Sequence, residues 1–321
     1  MAGFRVGYDG FDRFQQRHGW LGFPLAVRQK YADDQGSYLA ASITYYGFFS
    51  IFPLLLVFVS ALGFVLQGHS HLQDRIIGST LGQVPILGHD LHIRALKGSV
   101  PALVIGSIGA LWAGMGVFLA TQNAMNNLWG VPFRRRPDFV RARGRALLLL
   151  AVFGLGTLAA TGLGALGTIG ASFGVAWKVA AIAGSTLINF VLFWVGFRLM
   201  TVRDVSWRAL RGGAIAAAIA YEGLQLVGGY YVGHVLKHAN NTYGTFGFVL
   251  GLLSWIYLAT HVTLLAAEGN VVASRHLWPR SFSVIVEEGA TNADKRALTQ
   301  RGKVEERRQD EEIEVNFDAD R

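Results

Sequence analysis

Runs of apolar residues divide the chain. Six stretches, about Tyr38–Leu66, Pro101–Leu128, Ala146–Gly170, Val175–Leu199, Gly212–Leu236 and Phe246–Ala273, carry few charges and are separated by short basic or polar connections. A bilayer core takes roughly 20 apolar residues of helix, so each stretch predicts a transmembrane helix. The expected fold is all-α: an integral membrane bundle of six transmembrane helices over residues 38–273, the first of them kinked at Pro53. Residues 1–37 form a basic segment in which Phe11, Phe14 and Trp20 mingle with Arg13, Arg17 and Arg28. That mixture fits a short interfacial helix or an irregular basic arm. No apolar core with a small-residue cleavage site precedes Tyr38, so the first apolar run reads as an anchor. Residues 274–321 form a charged tail, expected as disordered or loosely helical from about Glu287 on. The connection Gln67–Val100 carries Leu72, Ile76, Ile77 and Leu81, a spacing compatible with one short surface helix.

Composition agrees with the apolar runs. Charged residues make up 16% of the chain and mean hydropathy is +0.35, whereas soluble domains carry about 25% charge. Forty glycines suit close helix packing in lipid. The absence of cysteine excludes disulfides, thiol catalysis and cysteine-ligated zinc. A pI near 9.9 could signal nucleic acid, but the placement of the charge points elsewhere. Twenty-four Lys and Arg fall in the N-terminal segment, the loop Arg134–Arg145, the loop Arg198–Arg211 and the tail, against five on the other side. Those five are Arg75, Arg94, Lys97, Lys178 and Lys237, and Lys178 can snorkel from its helix end. Cytoplasmic loops are the basic ones. The expectation is therefore an integral membrane protein with both termini in the cytoplasm and no nucleic-acid partner.

The candidate chemistry lies inside the spans. Glu222 and Glu268 are acids within apolar helices, where a bare carboxylate costs about 2.5–3.5 kcal/mol on insertion scales. Gly247, Ser254, His261 and Glu268 recur every seven residues and share one helix face. Glu222, Gln225, Gly229 and Gly233 share another; Gly109, Ala113, Gly116, Ala120, Asn123 and Asn127 form a third. Asn189 adds a polar group in the fourth span. Two readings are open. Glu222, Gln225, His261, Glu268, Asn189, Asn123 and Asn127 line a pathway for a polar or ionic solute, or they are satisfied interhelical hydrogen bonds that fix packing. Pro53 is either a static kink or a hinge near a binding site. His234 and His238 have a spacing that can hold a metal. The plainer reading is polar residues at a membrane edge, and no metal or cofactor is expected. The expected partners are the lipid bilayer, a small polar or lipid-like solute and a second copy of the chain.

Particular motifs carry a family resemblance. Tyr38-Leu39-Ala40-Ala41-Ser42-Ile43-Thr44-Tyr45-Tyr46, followed by Ser50-Ile51-Phe52-Pro53-Leu54-Leu55, resembles the first helix of the YihY/BrkB family of bacterial inner-membrane proteins. Tyr243-Gly244-Thr245-Phe246-Gly247, then Leu253-Ser254-Trp255-Ile256-Tyr257-Leu258 and Ala267-Glu268-Gly269-Asn270, resembles its last helix. The resemblance spans about residues 35–275 and implies a six-helix protein of unsettled molecular function, one member being linked to virulence and serum resistance. The family has also carried a ribonuclease label. This sequence gives that label no support, because it shows no clustered His and Asp with metal-ligand spacing on the basic side. The chain departs from the family pattern at Gln122–Asn127, where the arginines begin only at Arg134.

Overall fold

The computed structural model describes residues 12, 14–65, 100–169, 174–201, 205–230, 245–281 and 290–317. Among these every regular element is helical. The α-helices are α1 (Gly19–Asp33), α2 (Gly36–Val65), α3 (Val100–Leu128), α4 (Phe139–Ile169), α5 (Val175–Met200), α6 (Arg211–Tyr230), α7 (Thr245–Arg275) and α8 (Asn292–Val304). Short 3-10 turns at Phe133–Arg135 and Trp207–Leu210 lead into α4 and α6.

Five of these helices, α2, α3, α4, α5 and α7, are long and apolar enough to cross a bilayer. Their outer faces expose large apolar side chains such as Ile105, Trp112, Leu158 and Ile182, as lipid-facing helices must, since lipid tails are no less apolar than those side chains. The described part of α6 does not reach that standard, and residues 231–236 of its expected span lie outside the described residues. Helix α4 begins seven residues before the expected Ala146, taking in Arg141, Arg143 and Arg145. Charge ends an apolar layer without ending a helix, whose backbone bonds are its own.

Helix α2 runs unbroken through Pro53. The missing N–H costs one rung, yet the helix resumes, so a helix broken at this point is not what the structure shows. In the tail, expected as disordered or loosely helical, residues Asn292–Val304 form a capped helix. Thr291 accepts from the Asp294 N–H while Asp294 accepts from the Thr291 N–H, a capping box that starts α8.

The described residues fall into two compact units. One draws on Ala41–Ala120 and Gly223–Ala259. Its packing places glycine against bulk. A Cβ on Gly109 would lie 3.2 Å from the Pro53 ring, one on Gly116 2.6 Å from the Tyr46 ring, and one on Gly228 2.7 Å from Trp255. Two of its serines bond their own helices, Ser50 to the Gly47 carbonyl at 2.7 Å and Ser254 to the Leu250 carbonyl at 2.8 Å.

The other unit draws on Met1–Ala40, Thr121–Glu222 and Thr260–Arg321. Its core mixes small and large apolar side chains, Ala26, Met125, Leu128, Leu149, Leu210, Ala214, Leu264 and Val271 among them. Gly156 faces Leu192 and Gly196 faces Phe153 where α4 meets α5. At α6 and α7 the approach is closer. A Cβ on Gly213 would run into the Ala266 carbonyl and the Asn270 amide, and the Gly213 N–H donates to Asn270 Oδ1 at 2.7 Å.

Candidate functional site

The second unit holds the polar chemistry. Helix α1 ends at Asp33, and Gln35 turns the chain in the left-handed region (φ 55°) before α2 starts at Gly36. Gly36 is needed because the Tyr31 ring occupies the place a Cβ would take. This tight corner sets three side chains inward: Lys30, Tyr31 and Asp34.

Lys30 is 2% exposed and Glu268 is fully buried. The Lys30 ammonium donates to the Asp34 carboxylate and, at 3.2 Å, to the Leu128 carbonyl. Glu268 Oε2 lies 3.8 Å from the same ammonium, too far for a hydrogen bond. Neither Glu268 oxygen has a hydrogen-bond partner among the described residues. Next to Lys30 on α1, Tyr31 Oη meets His261 Nδ1 at 2.7 Å with the rings edge to face.

Tyr31 and His261 line a cavity of about 1060 Å³ formed by α1, the start of α6 and α7. Its walls are mostly apolar, with Phe23, Pro24, Val27, Ala216 and Leu265. Arg28 and Arg208 stand exposed beside it, and no described carboxylate pairs with either. Asn270 contributes a buried amide nitrogen without a hydrogen-bond partner among the described residues.

The remaining candidates sort into separate groups. Asn189 Nδ2 donates to Glu222 Oε1 at 3.0 Å, and Thr186 Oγ1 reaches the same oxygen at 3.3 Å. Gln225, one turn on, is exposed. Asn123 and Asn127 both accept from Arg136, at 2.6 and 2.5 Å, where the connection after α3 folds back. Burial brings that guanidinium down to about 10, partly offset by Glu305. Glu222 is thus joined to Asn189. His261 and Glu268, on one face, go instead to Tyr31 and Lys30. Among the described residues no group of three or more His, Asp or Glu could hold a metal; His234 and His238 lie outside them, as does the connection carrying Leu72 and Ile76.

Sequence reasoning counted Lys30 and Arg280 only as topological charges, and the structure buries both. Arg280 binds Asp294 and Asp33, each at 2.7 Å. Burial by itself would raise the Asp294 carboxyl, but bonds from Arg280, the Ser281 N–H and Thr291 outweigh it and hold the group below the ordinary carboxylate range. Arg134 pairs with Glu306 at 2.7 Å, so the tail returns onto the loop after α3. One signal was available: Thr291-Asn292-Ala293-Asp294 is a capping-box spacing.

A helical protein with five apolar helices of membrane-crossing length and a buried charge cluster is a polytopic membrane protein. The chain belongs to the virulence factor BrkB family, whose profile matches residues 27–281. It is 26% identical over 288 residues to inner membrane protein YhjD of Escherichia coli, covering 83% of this chain and 85% of that one. It is 27% identical over 269 residues to a UPF0761 membrane protein of Stenotrophomonas maltophilia, covering 80% of this chain and 62% of the relative, so it spans less than two thirds of that protein. The YfkH protein of Bacillus subtilis, whose name calls it ribonuclease-like, is 23% identical over 270 residues, covering 78% of this chain and 95% of YfkH. No solved structure matches the chain.

Proposed function

We propose that the protein moves a small polar or lipid-like envelope component across the bacterial inner membrane, through six spans with both termini in the cytoplasm. The observation that carries this reading is the cavity between α1, α6 and α7. Apolar walls beside two arginines that pair with no described carboxylate, and an amide nitrogen with no partner among the described residues, suit an amphiphile with an anionic head. The inner-membrane location draws support from the E. coli relative's name, and the orientation from the split of basic residues.

The test is reconstitution into vesicles with a labelled anionic amphiphile. Wild type should move the label faster than protein-free vesicles, Arg28→Ala with Arg208→Ala should slow it, and Ala216→Trp should block it. Equal rates with and without protein sink the reading. Orientation is tested separately: the chain has no cysteine, so single cysteines placed at Arg135 and Arg296 should react only from the cytoplasmic side.

One observation favours a second reading for part of the polar seam. The bonds from Asn189 and Thr186 to Glu222 are those of a packing contact. Under that reading the protein is a non-transporting envelope or assembly factor, and pull-down of a partner succeeds where solute screens fail. Neither reading includes an enzyme, and purified protein should show no metal-dependent RNA cleavage.

A further inference from the structure

Lys30, Asp34 and Glu268 form an enclosed set in which acids outnumber bases. With all three ionised the set carries one net negative charge, and its side chains are exposed by only 2%, 6% and 0%. Two of the ammonium's three donors go to Asp34 and the Leu128 carbonyl. Glu268 is left with two buried oxygens and no donor. An ionised carboxylate accepts only, so this arrangement leaves it desolvated and without a hydrogen bond, with the ammonium 3.8 Å away and shared with Asp34. A protonated carboxyl is neutral and has an O–H to give. An acceptor is close by, since the Asp34 and Glu268 carboxyl groups both face the Lys30 ammonium.

From this geometry we infer that the cluster is a single-proton site: Glu268 carries the proton and donates it to Asp34, whose other contact is the Lys30 ammonium. The proton brings the set to zero net charge and gives every member a partner. Release sends it to solvent and leaves the charge uncompensated. The other charged neighbour of Glu268 is Asp33, which is already paired with Arg280 at 2.7 Å. On α7 itself the titratable groups two turns to either side are His261, engaged with Tyr31, and Arg275, which donates to the Trp129 carbonyl at 3.4 Å. A metal cation is the weaker occupant, because the Lys30 ammonium already stands among the oxygens that would ligate it. The inference is independent of the flux reading, since proton occupancy is read without any solute.

The test is infrared difference spectroscopy on the full chain in lipid nanodiscs at neutral pH. Wild type should show a protonated-carboxyl C=O band that shifts in D2O. Glu268→Gln, which keeps the shape of the neutral acid, should lose that band and melt within a few degrees of wild type. Asp34→Asn should lose it too, because one acid facing one base ionises. A wild type without the band overturns the inference, as does a band that survives in Glu268→Gln. Thermal stabilisation by sodium over choline, present in wild type and absent in Glu268→Gln, reassigns the site to a metal cation and also overturns it.

Discussion

The two units are built on different terms. Ala41–Ala120 with Gly223–Ala259 contains no charged residue among those described, and its contacts set glycine against a ring or proline. Ser50 and Ser254 bond within their own helices. The other unit buries Lys30, Glu268, Arg280 and Asp294. Helices α2, α3, α6 and α7 contribute to both, so chemistry is assigned by position along a helix rather than by helix. The lesson is that one unit is held by shape and the other by charge. Shape fails gradually when a side chain is oversized, whereas a buried charge fails abruptly when its partner goes.

The sharpest way to break this contrast is Lys30→Met. It leaves two adjoining buried carboxyls without their ammonium, and breaking a buried pair costs about 3–5 kcal/mol. A large fall in melting temperature in detergent is expected, and an unchanged melt would remove Lys30 from the core of the argument. Next comes the shape-held unit. Gly116→Val drives a Cβ toward the Tyr46 ring, and overpacking of this kind costs about 1–3 kcal/mol. Its melt should shift equally at low and high salt, because no charge is involved.

The charge-held unit should also answer to pH. Asp294 titrates below its ordinary value in the folded protein. Its contribution is therefore complete above the unfolded carboxylate value of about 3.9 and is lost as pH falls through the lower folded value. Acid should loosen α8, read as proteolysis of the tail, and Asp294→Asn should show that susceptibility already at neutral pH. Thr291→Ala, which removes one half of the cap, should cost about 1 kcal/mol. The smallest effect belongs to Glu222→Gln. The bond from Asn189 survives with an amide oxygen in place of the carboxylate, and interhelical bonds in membranes average about 0.6 kcal/mol. Stability should barely move, so a complete loss of flux in that variant would favour the pathway reading over packing.

Much of the fold was legible in the chain. The apolar runs located α2, α3, α5 and α7 to within a few residues, because hydrogen-bond satisfaction in lipid forces an apolar run of that length into helix. The stripes were partly legible. Gly109 and Gly116 do make close contacts, and Glu222 does meet Asn189. Periodicity names a face, but not what stands opposite. Asn123 and Asn127 share a face with Gly116 yet serve Arg136 from their own following loop.

By itself the sequence determined a helical membrane protein, the positions of its apolar helices and its family, because those follow from local composition and from motifs on single helices. Only the tertiary structure decided what Lys30 and Arg280 are for. As sequence they are two basic residues outside the apolar runs, equivalent to their neighbours. They become the centres of buried ion clusters because the corner at Gln35–Gly36 and the return of α8 bring carboxylates from distant segments around them. Hydropathy is summed along the chain, whereas electrostatic pairing depends on distances through space, and those exist only once the helices have packed.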